Sequence, residues 1–286
     1  MTPDPPPLIV PFTKMNGAGN DFLVLDNRFL RFSDDELAAL AARFCTRRTG
    51  VGADGLLALD GLTDDAVDFR MRYRNADGSL ATMCGNGARC LARFAARAGL
   101  GAETDGTVAL AFDTDGGRYR AEVSGRGASG PVRLAVPPAR DYGPAVDGAV
   151  RIWTGTEHAV VFTDSLDGVD PDAEGPRLRY HSAFAPAGTN VNWVEVSGPD
   201  RVRVRTYEKG VEAETLACGT GAVAGALAAA LGGHLGTADG GRQSVAVEMP
   251  GGTLEVAFGM ADGAASDITL AGPAETVYGG TLEWRG

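Results

Sequence analysis

Cys84-Gly-Asn-Gly-Ala88 returns as Cys218-Gly-Thr-Gly-Ala222, 134 residues further along a chain of 286. Each copy follows a strand-like run of alternating arginines that ends in a tyrosine, and Tyr73 and Tyr207 keep the same 134-residue offset. Upstream, Gly19-Asn-Asp-Phe22 before a Leu/Val run resembles Gly155-Thr-Glu-His158 before Ala-Val-Val-Phe162, at an offset of 136. Landmarks recurring at a nearly constant offset, close to half the chain, predict two similar domains. A shared topology would set the two Cys-Gly-x-Gly turns facing each other across an inter-domain cleft, a preferred kind of ligand site.

Outward from these turns, short β-type runs recur at Phe22–Leu25, Val67–Tyr73, Val108–Phe112, Val132–Val136, Ala159–Phe162, Val191–Val196, Val202–Tyr207, Val245–Glu248 and Leu254–Phe258. Several alternate apolar residues with Arg or Glu, the period of a strand with one solvated face. The alternating Arg70, Arg72 and Arg74 are expected on such a solvated face, and the acidic stretches Asp60–Asp68 and Asp164–Asp172 are expected to serve solubility. Three helices are predicted: Asp34–Phe44 behind the N-cap Ser33 with Glu36 three positions on, Asn86–Gly99, and Thr220–Leu231. Strands far outnumber helices, so the class is α+β rather than a regular βαβ alternation.

The position of each repeated cysteine has chemical consequences. Free amides at a helix start hold an anion such as an α-carboxylate. The positive end of the helix favours a thiolate, and glycine lets a ligand approach the backbone. Cys84 and Cys218 are therefore a candidate base–acid pair. One thiolate takes a proton from a carbon held between them while the other thiol delivers one from the opposite side, which inverts a stereocentre. Cys45 and Cys90 are expected to be inert core residues. Asn20, Asn75, Asn86, Asn190 and Glu208 lie beside glycines or at strand ends and supply polar groups around the pair. His158 is expected to pack at the domain interface rather than to carry a proton.

Composition narrows the rest. With 44% hydrophobic residues the chain is expected to build a packed core. Its 26 Lys+Arg against 37 Asp+Glu give a formal net charge of −11, which offers no general attraction to nucleic acid or anionic membranes. Four cysteines are too sparse for a secreted disulfide framework, and no histidine falls at zinc-ligand spacing with them, so no metal site is expected. Met1–Pro7 has neither a basic nor an apolar signal region, and the apolar run Ala222–Leu231 is about half of a bilayer span. A cytoplasmic protein is the expectation. Only Lys14 and Lys209 are lysines, so a Schiff-base mechanism has two positions to choose from.

Taken in order, Lys14-Met-Asn-Gly-Ala-Gly-Asn-Asp-Phe22, Gly50-Val-Gly-Ala-Asp-Gly55, Asn75-Ala-Asp-Gly-Ser79, Cys84-Gly-Asn-Gly-Ala-Arg89, Gly188-Thr-Asn190, Tyr207-Glu-Lys-Gly-Val-Glu212 and Glu214-Thr-Leu-Ala-Cys-Gly-Thr-Gly221 resemble the diaminopimelate epimerase family. The resemblance implies two pseudosymmetric domains, each a strongly curved, mostly antiparallel sheet around a central helix. Residues 1–134 with 273–286 would form the first and carry Cys84; residues 135–272 would form the second and carry Cys218, with the active site in the cleft between them. It implies an isomerase free of pyridoxal phosphate or any other cofactor, converting LL- to meso-diaminopimelate for lysine and peptidoglycan synthesis, and a homodimer by analogy. Cys84 and Cys218 would be the catalytic pair. Gly85, Asn86, Gly219 and Thr220 would hold the reacting carboxylate, and Asn20, Asn75, Thr156, Asn190, Glu208 and Lys209 would contact the rest of the substrate. Three positions depart from the family pattern. Lys209 stands where the family usually has Arg, Thr156-Glu157-His158 replaces Asn-Pro-His or Ser-Pro-His, and Gly55 stands where many members carry Gln. Two alternatives accompany this reading: a racemase of the same family acting on another amino acid, and a non-catalytic amino-acid-binding protein of the same fold.

Overall fold

A computed structural model describes residues 6–62, 64–236, 241–261 and 263–285. Met1–Pro5 of the N-terminal stretch, Thr63 of the Asp60–Asp68 stretch and Gly286 of the last segment lie outside the described residues. The chain divides into two compact units, Met1–Val132 with Pro273–Gly286, and Arg133–Gly272.

The first unit runs β1 (Leu8–Gly17), β2 (Asn20–Asp26), α1 (Asn27–Leu30), α2 (Asp34–Phe44), β3 (Gly55–Asp60), β4 (Phe69–Asn75), α3 (Gly85–Arg97), β5 (Ala102–Thr104), β6 (Thr107–Thr114) and β7 (Gly117–Ser124). β1 pairs antiparallel with β2, β2 parallel with β3, β3 antiparallel with β4, β4 parallel with β6, and β6 antiparallel with β7. The buried helix α3 touches β1, β2, β3, β4, β6 and β7, strands from both ends of that order. A sheet that meets one helix along all these strands is curled around it. β2 is buried on both faces: Phe22 lies by α3, where a Cβ on Gly87 would stand 3.4 Å from its ring, and Leu23 and Leu25 join Leu37, Leu40 and Ala41 of α2 in an outer cluster. Ser33 and Glu36 form the expected capping box on α2, a device worth about 1 kcal/mol.

The second unit repeats the plan. After β8 (Pro131–Ala135) it runs β9 (Arg140–Pro144), β10 (Val150–Trp153), β11 (Glu157–Phe162), α4 (Pro171–Arg179), β12 (Asn190–Gly198), β13 (Arg201–Glu208), β14 (Ala213–Thr215), α5 (Gly219–Leu231), β15 (Arg242–Met249), β16 (Gly252–Ala261) and β17 (Ala264–Pro273). β10–β11–β12–β13–β15–β16 reproduce the antiparallel, parallel, antiparallel, parallel, antiparallel series of the first unit. α5 touches all six of those strands and is buried from Gly221 to Ala229, as a helix apolar all round requires. The last strand, β18 (Glu275–Trp284), belongs to the first unit and pairs antiparallel with β1 from Leu8↔Trp284 to Asn16↔Glu275. The α+β reading and the internal repeat are therefore those of the folded chain. The parallel β2–β3 and β4–β6 pairs, joined through helices, were not read from the sequence.

The arginine row of β4 is not the solvated face expected of it. Arg70 pairs with Asp115, Arg72 with Asp34 and Asp60, and Arg74, 8% exposed, with Asp34. The opposing carboxylates come from distant segments, which a reading of β4 alone does not reveal. The acidic stretches are likewise structural in part. Asp68 accepts from the amide of Ala111, Asp170 caps α4 through the amide of Ala173, and Asp172 accepts from the amide of Glu214.

Candidate active site

Both repeated cysteines are helix N-caps. Cys84, in extended backbone at φ −140°, precedes α3 and its Sγ accepts from the amide of Gly87 at 3.5 Å. Cys218, at φ −111°, precedes α5 and its Sγ accepts from the amide of Gly221 at 3.4 Å. Each helix thus starts one residue earlier than expected, at Gly85 and Gly219, because the cysteine itself occupies the cap. The second glycine of the repeat serves packing. A Cβ on Gly221 would stand 2.5 Å from Asn192 Oδ1 and 3.0 Å from Thr206 Oγ1. Neither helix has an acidic residue in its first turn to oppose a negative sulfur.

In the first unit the expected residues gather in one network. Asn86, buried at the start of α3, donates from Nδ2 to Asn20 Oδ1 at 2.5 Å, and its own Oδ1 accepts from Arg89 Nη2 at 2.6 Å. Asn20, at the start of β2, donates to Asp54 Oδ2 at 2.9 Å. Asp54 and Asp21 share Arg47, and Lys14 donates to Asp21 at 2.7 Å and to the carbonyl of Gly52. Asn75 stands apart from this chain of bonds. It ends β4 opposite Gly55, and its side chain donates to Ser79 Oγ at 3.0 Å within the following turn. A side chain at position 55 would be blocked, with a Cβ 2.6 Å from both the carbonyl of Arg74 and the ring of Tyr73.

In the second unit Asn190 accepts the backbone N–H of Lys209 at 2.8 Å and donates to the carbonyl of Glu157 at 3.2 Å. Lys209 Nζ donates to Glu157 Oε2 at 2.6 Å, and Thr156 Oγ1 donates to the same oxygen at 3.2 Å. Three of the expected substrate contacts are therefore tied to one another through Glu157. The Glu208 carboxylate is held by the hydroxyl of Thr215 at 2.8 Å and by the Cys218 thiol, and burial pushes its pKa above the usual carboxylate range despite both bonds. Thr220 at the start of α5 is fixed by its carbonyl, which accepts from Thr154 Oγ1 at 2.9 Å, while its hydroxyl lies 3.4 Å from Cys218 Sγ.

His158 is buried, with its Nδ1 3.0 Å from the Nδ2 of Asn192. Asn192 Oδ1 accepts from Thr206 Oγ1 and its Nδ2 also donates to the carbonyl of Ala159. The amide orientation therefore makes Nδ1 an acceptor and leaves the imidazole proton on Nε2. Burial holds the imidazole down to about 3. Cys45 and Cys90 are buried and burial pushes each thiol up to about 12, as suits packing residues. Arg89, Asp54 and Asn192 received no role from the sequence. Arg89 and Asp54 sit inside the quoted motifs, and Asn192 is a polar residue in an apolar strand, a signal that was present. Among the described residues no group of three or more His, Cys, Asp or Glu side chains is placed to hold a metal, and no helix is long and apolar enough to cross a membrane.

A duplicated sheet, each half wrapped around a central helix, defines a fold class with solved members. The chain matches the phenazine biosynthesis protein of the PhzF family from Bacillus anthracis with a TM-score of 0.70 at 15% identity, covering 96% of this chain and 99% of that one. It matches a hydroxyproline epimerase from Agrobacterium vitis with a TM-score of 0.65 at 15% identity, covering 96% and 92%. These likenesses concern the fold. The chain belongs to the diaminopimelate epimerase family, whose model matches residues 12–136 and 150–277. It is 42% identical to the diaminopimelate epimerase of Chlorobaculum tepidum over 94% of this chain and 99% of that one. It is 38% identical to the diaminopimelate epimerase of Flavobacterium psychrophilum over 94% and 98%.

Proposed function

We propose that this chain is a cofactor-independent isomerase that inverts the α-carbon of diaminopimelate, from the LL to the meso form, with Cys84 and Cys218 as its two proton carriers. The observation that carries the reading is the matched pair of cysteine-capped helices, each Sγ accepting a first-turn amide at 3.5 and 3.4 Å. A sulfur in that setting carries negative charge readily. One thiolate breaks the α-C–H bond and becomes a thiol. The electron pair is left on carbon beside a carboxylate held by the amides of Gly85, Asn86, Gly219 and Thr220. The other thiol then gives its proton to the opposite face and becomes the thiolate. The scheme balances with the two sulfurs alone, and they exchange roles at each turnover.

Asn20, Asn75, Thr156, Asn190, Glu208 and Lys209 bind the remainder of the substrate in this reading. The protein then acts in lysine and peptidoglycan biosynthesis, in the cytoplasm and as a homodimer. Purified protein in D₂O tests the proposal. Deuterium is expected at the α-carbon of diaminopimelate and not of other amino acids. A second reading, a family relative acting on another amino acid, is favoured by one observation: Lys209 is engaged by Glu157 at 2.6 Å rather than left to a distal carboxylate. Exchange confined to another amino acid selects that reading, and exchange with none rejects both.

A further inference from the structure

Arg89 is fully buried, and among the described residues its Nε and Nη1 have no hydrogen-bond partner. Its Nη2 spends its bond on Asn86 Oδ1 at 2.6 Å. Three more bonds continue from there: Asn86 Nδ2 to Asn20 Oδ1 at 2.5 Å, Asn20 Nδ2 to Asp54 Oδ2 at 2.9 Å, and Arg47 Nη2 to Asp54 Oδ1 at 2.9 Å. A guanidinium only donates and an ionised carboxylate only accepts. The atom of Asn86 that faces Arg89 must therefore be oxygen, and the atom of Asn20 that faces Asp54 must be nitrogen. With both ends fixed, the bond between the two amides has one allowed direction. Neither amide can flip without placing donor against donor or acceptor against acceptor, and in a part-buried site such a mismatch carries a cost.

We propose that Arg89 and Asp54 are positioning residues, the donor and acceptor ends of a polarised hydrogen-bond chain that sets which way the Asn86 and Asn20 amides face the substrate. The proposal rests on the substrate-binding role given above to those two asparagines. Neither end need touch the substrate. Arg89 also explains its own burial: a charge without solvent is retained where it imposes a direction on its neighbours.

The side-chain NH₂ signals of Asn20 and Asn86 in ligand-free, ¹⁵N-labelled protein test the chain directly. Asp54→Asn is expected to shift, and to speed solvent exchange of, both pairs, the Asn86 pair lying one amide further along the chain of bonds than Asn20. Asp54→Glu keeps the acceptor and is expected to restore them. A change confined to Asn20 overturns the proposal. In the exchange assay with diaminopimelate, Arg89→Met and Asp54→Asn are each expected to lose at least about tenfold in kcat/KM, the scale of one charged hydrogen bond. The two losses should be non-additive in the double variant, and Arg89→Lys, a donor-only replacement, should regain most of the activity. Additive losses, kcat/KM within about twofold of the parent in both single variants, or no rescue by Arg89→Lys at an unchanged melting temperature overturn the orienting role. Where Arg89→Met fails to fold, Arg89→Lys and the Asp54 variants carry the test. An inactive parent protein defeats the function reading alone, because the chain still stands or falls on the Asn86 signal.

Discussion

Lys209 and Glu157 neutralise one another across the sheet of the second unit, Nζ to Oε2 at 2.6 Å, with the Lys209 side chain 23% exposed. A substrate carboxylate that binds Lys209 has to share it with Glu157 or displace it. Glu157→Gln is therefore expected to lower KM for diaminopimelate with little change in kcat. Lys209→Met should raise KM about tenfold or more, the scale of a lost charged hydrogen bond. Initial rates over a range of substrate concentration check both, and an unchanged KM in both variants places the distal carboxylate elsewhere.

The two cysteine caps should be individually indispensable. Cys84→Ala and Cys218→Ala are each expected to reduce kcat by at least about a hundredfold, the scale of a lost general acid or base. Loss in only one of them, with deuterium still entering at the parent rate in the other, argues for a single proton carrier.

Burial pushes the thiols of Cys45 and Cys90 up to about 12. Near pH 8 both should alkylate slowly in the native protein and become reactive only on unfolding. Cys45→Ala and Cys90→Ala should keep kcat while lowering the melting point, since each leaves a small cavity worth about 1–2 kcal/mol. Mass mapping of iodoacetamide adducts before and after urea treatment reads the first expectation.

His158 links stability to pH. Its imidazole is held down to about 3 against an ordinary value of 6.5, chiefly by burial, with Lys209 also opposing the charge and Glu157 favouring it. As pH falls, the unfolded chain takes this proton first. The stability present above pH 6.5 is therefore lost progressively toward pH 3, at about 1.4 kcal/mol for each pH unit. Urea midpoints of the parent and of His158→Gln between pH 6.5 and 5 should differ in slope, the variant being the flatter. Parallel slopes would mean that the imidazole is protonated in the folded state.

Gly221→Ala should destabilise the second unit, because the added methyl meets Asn192 Oδ1 at 2.5 Å. The contact also pushes on the group that fixes the His158 tautomer. A drop in melting temperature is expected from overpacking of about 1–3 kcal/mol, and an unchanged transition is the contrary result.

The repeat was readable because its chemistry is local: a cap, two glycines and a helix fit in five residues at Cys84–Ala88 and Cys218–Ala222. What escaped reading depends on partners far along the chain. β1 contains Pro11, which breaks an interior-strand pattern. In the fold its pairing with β2 begins only at Thr13, so among the described residues Pro11 has a strand neighbour on the β18 side alone. β18 holds Gly279 and Gly280, which weaken a strand pattern, so it was expected in the first domain through the family resemblance alone; β1 gives it a partner along its length. α4 carries Gly175 and Pro176 and looks unlike a helix, but a side chain at 175 would strike the ring of Tyr207 at 2.3 Å, so close packing selects the glycine. Arg89 and Asp54 stood in plain view within motifs. Their roles appeared only when β2 and α3 brought Asn20 against Asn86.

The pairing of β1 with β18 also shapes how the molecule is made. Leu8 meets Trp284 and Asn16 meets Glu275, so β1 leaves the ribosome long before the strand that pairs with it. Through most of synthesis one edge of the earlier half lies open, with its amides and carbonyls unmatched and available to any other nascent strand. The second half, continuous from Arg133 to Gly272, carries no such delay. Premature termination just before Glu275 would spare every residue proposed to touch substrate and still release a chain with a sticky border, whose fate is aggregation rather than slow turnover.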